Sequence, residues 1–268
     1  MYQALYRKWR PRTFEEVVGQ EHITTTLKNE MIQGKPAHAY LLMGSRGTGK
    51  TTCAKLIAKA VNCRNPVDGS PCGQCDCCRG VDNGSLVDVV EIDAASNNGV
   101  DNIRDLREEA VFLPNIAKYR VYIIDEAHML SVGAVNALLK IMEEPPEHVI
   151  FILATTEVHK IPETLLSRCQ LYVLKSLEKD DLLELLQRAI TTDVQLKERQ
   201  IELKETTAML RYSGGDARKL LNILDLVVQS ETADPVVITD EMVTERLQQN
   251  PLAYDKDGEM HYDIISAF

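Results

Sequence analysis

No apolar run in the 268-residue chain approaches the roughly 20 residues that span a bilayer, so no membrane contact is expected. The N-terminus, MYQALYRKWRPR, is basic but lacks the apolar core of a secretory signal. Internal repeats and low-complexity tracts are missing as well. With 44% hydrophobic and 26% charged residues, disorder is excluded as the main state. What remains is a soluble, cytoplasmic globular protein of one large domain or two modest ones.

The formal charge is −10, but it is unevenly spread. Residues 231–268 hold nine acids and two bases, a local balance of −7 that leaves −3 for residues 1–230. Net charge therefore neither excludes nucleic acid nor argues for it, because a local basic face is what neutralises phosphates.

Short runs that are apolar throughout alternate with helical patterns. The runs at 39–43, 87–92, 121–124, 149–153 and 171–174 read as strands, with helices over 50–61, 101–112 and 131–143 between them. That alternation predicts an α/β fold with a parallel sheet covered on both faces. After Lys175 the pattern turns helical, with helices expected near 182–190, 203–212, 216–229 and 239–248. The expected organisation is a nucleotide-binding domain over 1–174, an all-helical lid over 175–248, and a tail over 249–268. Because the tail ends on the uncapped apolar piece Ile264-Ile265-Ser266-Ala267-Phe268, it reads as the truncated start of a further domain.

Gly44-Ser45-Arg46-Gly47-Thr48-Gly49-Lys50-Thr51, followed by Thr52, fits the phosphate-loop pattern and lies between a strand and a helix, as that loop requires. Glycines let backbone N–H groups wrap phosphates, and the helix N-terminus adds favourable partial charge. Lys50 is expected to reach the β- and γ-phosphates of ATP, and the Thr51 hydroxyl to ligate Mg²⁺. Asp125-Glu126 ends the third strand, where ligands of open α/β sheets sit. Asp125 would hold Mg²⁺ through water and Glu126 would polarise the attacking water. His128 completes Asp-Glu-Ala-His, a string some helicases share; a partner near the switch region is its expected role.

Five of the seven cysteines fall between 63 and 78, a cluster that in a cytosolic chain reads as metal before disulfide. Cys63, Cys72, Cys75 and Cys78 have the spacing of a closed tetrahedral Zn²⁺ site, with Cys77 as the alternative to Cys78. Four thiolates leave no open position, so a structural rather than a catalytic ion is expected.

Together these motifs resemble the AAA+ ATPases and, more narrowly, the bacterial clamp loaders of the DNA polymerase III gamma/tau family, from residue 2 to about 170. The resemblance is carried by Tyr6-Arg7-Lys8-Trp9-Arg10-Pro11, Val17-Val18-Gly19-Gln20-Glu21-His22, the phosphate loop, the cysteine insertion, Asp125 to Leu130, Asn136 to Lys140, Glu143-Glu144-Pro145-Pro146 and Leu166-Ser167-Arg168-Cys169. It implies a sensor role for Thr155 at the fourth strand end and for Arg218 in the lid. It also implies an arginine finger in Arg168, acting on a neighbouring subunit, and adenine contacts from Arg10, Val17 and Val18. ATP-driven loading of a sliding clamp onto primer-template DNA follows from it, with delta, delta-prime and further gamma/tau copies as partners. The loop at Asn97 and Asn98 occupies the place where such proteins touch the template backbone, although a solvated turn fits it too. From Leu171 onward, the lid and the stretch 250–263 resemble the replication-associated recombination ATPases (RarA/MgsA). A RarA-like role at stalled forks, and a nucleotide-gated assembly protein with little turnover, are the alternatives.

Overall fold

A computed structural model describes residues 4–197, 199–231 and 234–249. The expected tail therefore falls, from residue 250, outside the described residues. Two compact units are formed, one by Pro11–Lys175 and the other by the described parts of Met1–Arg10 and Ser176–Phe268. The short helix α1 (Leu5–Lys8) thus packs within the second unit, although the sequence reading placed it with the nucleotide-binding domain.

In the Pro11–Lys175 unit, helix α2 (Glu21–Gln33) precedes a five-stranded sheet. Its strands are β1 (Ala39–Met43), β2 (Val89–Asp93), β3 (Arg120–Asp125), β4 (Val149–Thr155) and β5 (Gln170–Val173). All neighbours are parallel, in the order β2-β3-β4-β1-β5. The expected strands and the parallel arrangement are all present. Helices α3 (Lys50–Asn62), α4 (Asp76–Asn83), α5 (Val100–Ala110), α6 (Val132–Glu143) and α7 (Glu163–Leu166) link and flank them.

Alternation along the strands divides the core. Tyr40, Leu42, Val121, Ile123 and Ile152 face Leu56 and Ile57 of α3 and Leu27 of α2. Leu41, Tyr122, Ile124, Phe151 and Leu153 face Ile103 and Leu106 of α5 and Leu138 of α6. Each fully buried Leu or Ile contributes roughly 1.5–3 kcal/mol through removal of apolar surface from water. Burial on both faces explains why β1 and β4 read as unbroken apolar runs.

The second unit adds α8 (Lys179–Thr192), α9 (Val194–Lys197), β6 (Ile201–Leu203), α10 (Thr207–Ser213), α11 (Ala217–Ser230), β7 (Val236–Ile238) and α12 (Asp240–Gln249). It is helical as expected, with one addition. The helix expected over 203–212 begins only at Thr207; Leu203 instead ends the strand 201–203, which pairs in parallel with 236–238. Helix α8 starts in a capping box between Glu178 and Asp181. Helix α11 is capped by Asp216, whose Oδ1 accepts from the Arg218 and Lys219 amides at 2.7 and 3.1 Å. Helix α1 is pinned by the buried Asp193, which accepts from Trp9 Nε1 at 3.0 Å and pairs with Lys8 Nζ at 2.6 Å.

Candidate nucleotide and metal sites

The sheet order brings three strand ends together. β1 lies between β4 and β5, with Met43 level with Thr155, and β3 lies next to β4. The loop Gly44–Gly49 leaves β1 at its C-terminal end, beside the ends of the other two, at the point where strand order reverses.

The loop's glycines are spatial requirements. Gly49 has φ +100°, a conformation L side chains rarely adopt. A Cβ at Gly44 would lie 2.9 Å from the Leu174 carbonyl and 3.0 Å from Thr48 Oγ1, which itself donates to Ser45 O at 2.9 Å. Lys50, largely buried at the start of α3, donates to Gly44 O at 3.0 Å and Ser45 O at 2.8 Å. These contacts hold its ammonium inside the loop's curve. Thr51 Oγ1 donates to Asp125 Oδ2 at 2.6 Å, joining the first turn of α3 to the end of β3 across 74 positions of sequence. Thr52 follows, half-buried. A hydroxyl and a carboxylate converging beside a phosphate loop are the hard oxygen ligands that Mg²⁺ prefers.

Glu126 has a left-handed backbone, φ 49°, with its amide bonded to Asp125 Oδ1 at 3.0 Å. Its carboxylate accepts from Thr156 Oγ1 at 3.2 Å. Thr155 is fully buried, and its Oγ1 accepts from the Glu157 amide at 3.0 Å and lies 3.1 Å from His128 Nδ1. His128 Nε2 in turn lies 3.2 Å from Glu157 Oε1, and Nδ1 lies 3.5 Å from Glu126 Oε2. His128 thus bridges the ends of β3 and β4. Glu157, which closes this bridge, escaped sequence reading because an acid after a strand carries no distinctive signal.

Other candidates lie elsewhere. Arg168, just after α7, donates to Thr164 O at 2.7 Å and Glu143 Oε1 at 3.0 Å. Val17 and Val18 are half-buried after a single 3₁₀ turn at Phe14–Glu16, and Val17 packs on the core. Arg10 and Arg218 belong to the second unit, where the Arg218 guanidinium lies over the Tyr6 ring, 5.6 Å from its centroid. The Asn97 side chain bonds back to Asp93 O at 3.2 Å, and Asn98 O accepts from the Ser131 amide at 3.2 Å.

The sulfurs of Cys63, Cys72, Cys75 and Cys78 lie within 4.8 Å of one another. Cys77, one residue away on α4, points instead into the apolar core with Val81. Burial opposes ionisation of Cys75, but amide hydrogen bonds from Arg64 and Cys78 outweigh it and bring the thiol down to about 6. At Cys78 burial prevails, with Cys75 adding to it, and pushes the thiol up. Burial alone raises Cys53 and Cys169, far from the cluster, to about 12. A converging set of four soft donors fits a tetrahedral zinc ion.

Among the described residues, no helix is long and apolar enough to cross a membrane. A family model described as "DNA polymerase III, delta subunit" matches residues 19–178, and one described as "AAA C-terminal domain" matches 195–268. The chain is 52% identical to DNA polymerase III subunit tau of Bacillus subtilis over 244 residues, covering 90% of this chain and 42% of that protein. It is 40% identical to subunit tau/gamma of Haemophilus influenzae over 266 residues, covering 99% of this chain and 37% of the relative. The chain therefore spans less than half the length of either. The Holliday junction branch migration motor RuvB of Thermotoga maritima shares the fold, with a TM-score of 0.61 at 19% identity over 90% of this chain and 72% of RuvB. The first family model covers more than half of the sequence, and the tau and gamma alignments run on past it: this chain belongs to the DNA polymerase III subunit family of AAA+ proteins.

Proposed function

We propose that this chain is the ATP-driven motor subunit of a DNA polymerase III clamp loader, which uses ATP binding and hydrolysis to place a sliding clamp on primed DNA. The observation that carries this reading is the Thr51–Asp125 hydrogen bond, which joins the phosphate loop to the acidic end of β3.

In this reading Gly44, Ser45, Arg46, Gly47, Thr48 and Gly49 wrap the phosphates with backbone amides, and Lys50 leaves its carbonyl partners for the β- and γ-phosphates. Thr51, Thr52 and Asp125 form the Mg²⁺ side of the site; the ion, when bound, offsets negative charge on the phosphate oxygens. Glu126 orients and polarises the attacking water, and Thr155, held by His128, contacts the γ-phosphate. Arg10, Val17 and Val18 contact the adenine, and Arg218 senses the nucleotide from the lid. Arg168 completes a neighbouring copy's site, since its side chain is bonded among α6 and α7 rather than to its own phosphate loop.

Zinc at Cys63, Cys72, Cys75 and Cys78 holds the insertion structurally. Asn98, and Asn97 once its bond to Asp93 is exchanged, contact the template phosphates. The partners are the delta and delta-prime subunits, further gamma/tau copies, the clamp and primer-template DNA, in the cytoplasm. The domain limits at 174 and 248 are part of the same reading.

The test is ATP turnover with primed DNA, with and without clamp and the other loader subunits. Stimulation that needs both clamp and DNA supports the reading. Stimulation by DNA ends or gaps without the clamp assigns the chain to RarA-like work at forks. Nucleotide binding without turnover in the full assembly makes it a nucleotide-gated assembly protein.

A further inference from the structure

The cysteine insertion is built into the segment that precedes Val17 and Val18. Between Cys63 and Cys72 the chain makes a two-residue turn at Asp68-Gly69, both with positive φ (47° and 76°), closed by hydrogen bonds between Val67 and Ser70 at 2.8 and 3.0 Å. This is the tight hairpin turn that Asp-Gly favours. Gly69 is seated against α2 so closely that a Cβ there would lie 2.3 Å from the Lys28 carbonyl.

The turn delivers Ser70, only 3% exposed, to the 3₁₀ turn at Phe14–Glu16. Ser70 Oγ accepts from the Phe14 amide at 3.1 Å and donates to Glu15 Oε2 at 2.7 Å. Glu15 also binds Lys28 Nζ at 2.5 Å. From the other side, the fully buried Lys59 donates to Arg12 O at 3.0 Å and to Asp82 Oδ1, on α4 just after Cys78, at 2.9 Å. Arg12 is thereby bonded to Lys59, which precedes Cys63 and also holds Asp82 beyond Cys78, while Phe14 and Glu15 are bonded to Ser70 between Cys63 and Cys72; Val17 follows directly on this segment.

We propose that the cysteine module is a positioning device for the base-contacting segment. A metal ion on Cys63, Cys72, Cys75 and Cys78 fixes the ends of the loop bearing Ser70, and Ser70 and Lys59 hold residues 12–16 so that Val17 and Val18 stand ready for adenine. This inference rests on the zinc and adenine assignments proposed above. Metal is then coupled to the base and not to the phosphates, which are gripped by a loop on the opposite end of α3. Losing Ser70 Oγ leaves the buried Phe14 amide without its acceptor, a penalty that is felt where the segment is ordered.

The experiment titrates ATP and inorganic tripolyphosphate calorimetrically and measures zinc by elemental analysis. It uses the purified chain, the same chain after chelation, and the variants Ser70→Ala and Gly69→Ala, which keep all four cysteines. In both variants, retained zinc, ATP binding weakened by about tenfold and unchanged tripolyphosphate binding are expected. Chelation of the parent chain should reproduce that loss and add little to Ser70→Ala. Unchanged ATP affinity in the zinc-loaded variants overturns the proposal. So does equal weakening of ATP and tripolyphosphate, or a chelation effect of the same size in parent and Ser70→Ala. A parent chain without zinc that still binds ATP overturns the coupling and the metal assignment while sparing the nucleotide site. A parent chain that binds ATP no more tightly than tripolyphosphate overturns it through the adenine assignment.

Discussion

Arg168 Nη2 lies 3.0 Å from Glu143 Oε1, so the arginine after α7 is anchored to the last residue of α6. Two motifs separated by 25 positions are thus parts of one local arrangement. A phosphate from a neighbouring copy would compete with that carboxylate for the guanidinium. Arg168→Ala should leave ATP binding by the isolated chain unchanged and lower turnover of the assembled loader by about 10³-fold or more. Weaker ATP binding by the isolated variant would show that Arg168 acts on its own subunit's nucleotide.

Lys50 and Glu126 should separate binding from turnover. Lys50→Ala removes the cation proposed to neutralise the phosphates, so ATP binding measured by calorimetry should be lost. Glu126→Gln keeps the side chain's size and its acceptor for Thr156 but not its charge. ATP should still bind, while hydrolysis falls by about 10²–10⁴-fold.

His128 does not reach a phosphate in this reading; it positions Thr155 through the 3.1 Å contact at Nδ1. His128→Ala should lower kcat by about tenfold or more with little change in KM for ATP. His128→Asn, which restores a polar group near Nδ1, should recover part of the loss. A purely structural role would lower the unfolding midpoint and give no such rescue.

Asp88 offers a stability test away from the nucleotide. Its side chain is fully buried and accepts the amides of Asn115, Ile116 and Ala117 at 2.7, 2.7 and 2.9 Å. Burial favours the neutral acid, but the three amides outweigh it and hold the carboxyl below its usual range. The lowered value in the folded state means that the stabilisation is complete above about pH 4, the unfolded value. It is lost as pH falls through the folded value. Asp88→Ala should cost about 2–3 kcal/mol at neutral pH by urea unfolding. The difference from the parent should shrink under acid conditions.

Features written in neighbouring residues were legible in the sequence. β1 and β4 announced themselves because burial on both faces demands apolar residues at every position, and the phosphate loop because its glycines and Lys50 occupy fixed offsets. The pair β6–β7 did not, since Ile201-Glu202-Leu203 is too short to separate a period of 2 from one of 3.6. Spacing left Cys77 and Cys78 as alternatives; only the direction of each side chain from α4 distinguishes core from cluster. Asp88, Ser70 and Gln20 were illegible for a common reason. Each binds backbone far along the chain, as when Gln20 clamps the amide and carbonyl of Lys175 at 3.0 and 2.7 Å, and backbone leaves no mark in a sequence.

The strand order also constrains how the protein is made. β1 finds its neighbours only in β4 and β5, which follow it in the chain by more than a hundred residues. While the ribosome is still extending the chain through β2 and β3, the phosphate loop's own strand has no partner on either edge. Ala39–Met43 therefore has no strand partner until β4 has emerged, with only its Tyr40 and Leu42 face coverable by α2 and α3 in that interval. Slow translation across residues 44–148 would prolong the exposure, so the same insertion of β1 that assembles the nucleotide site makes it the last part of the sheet to be completed.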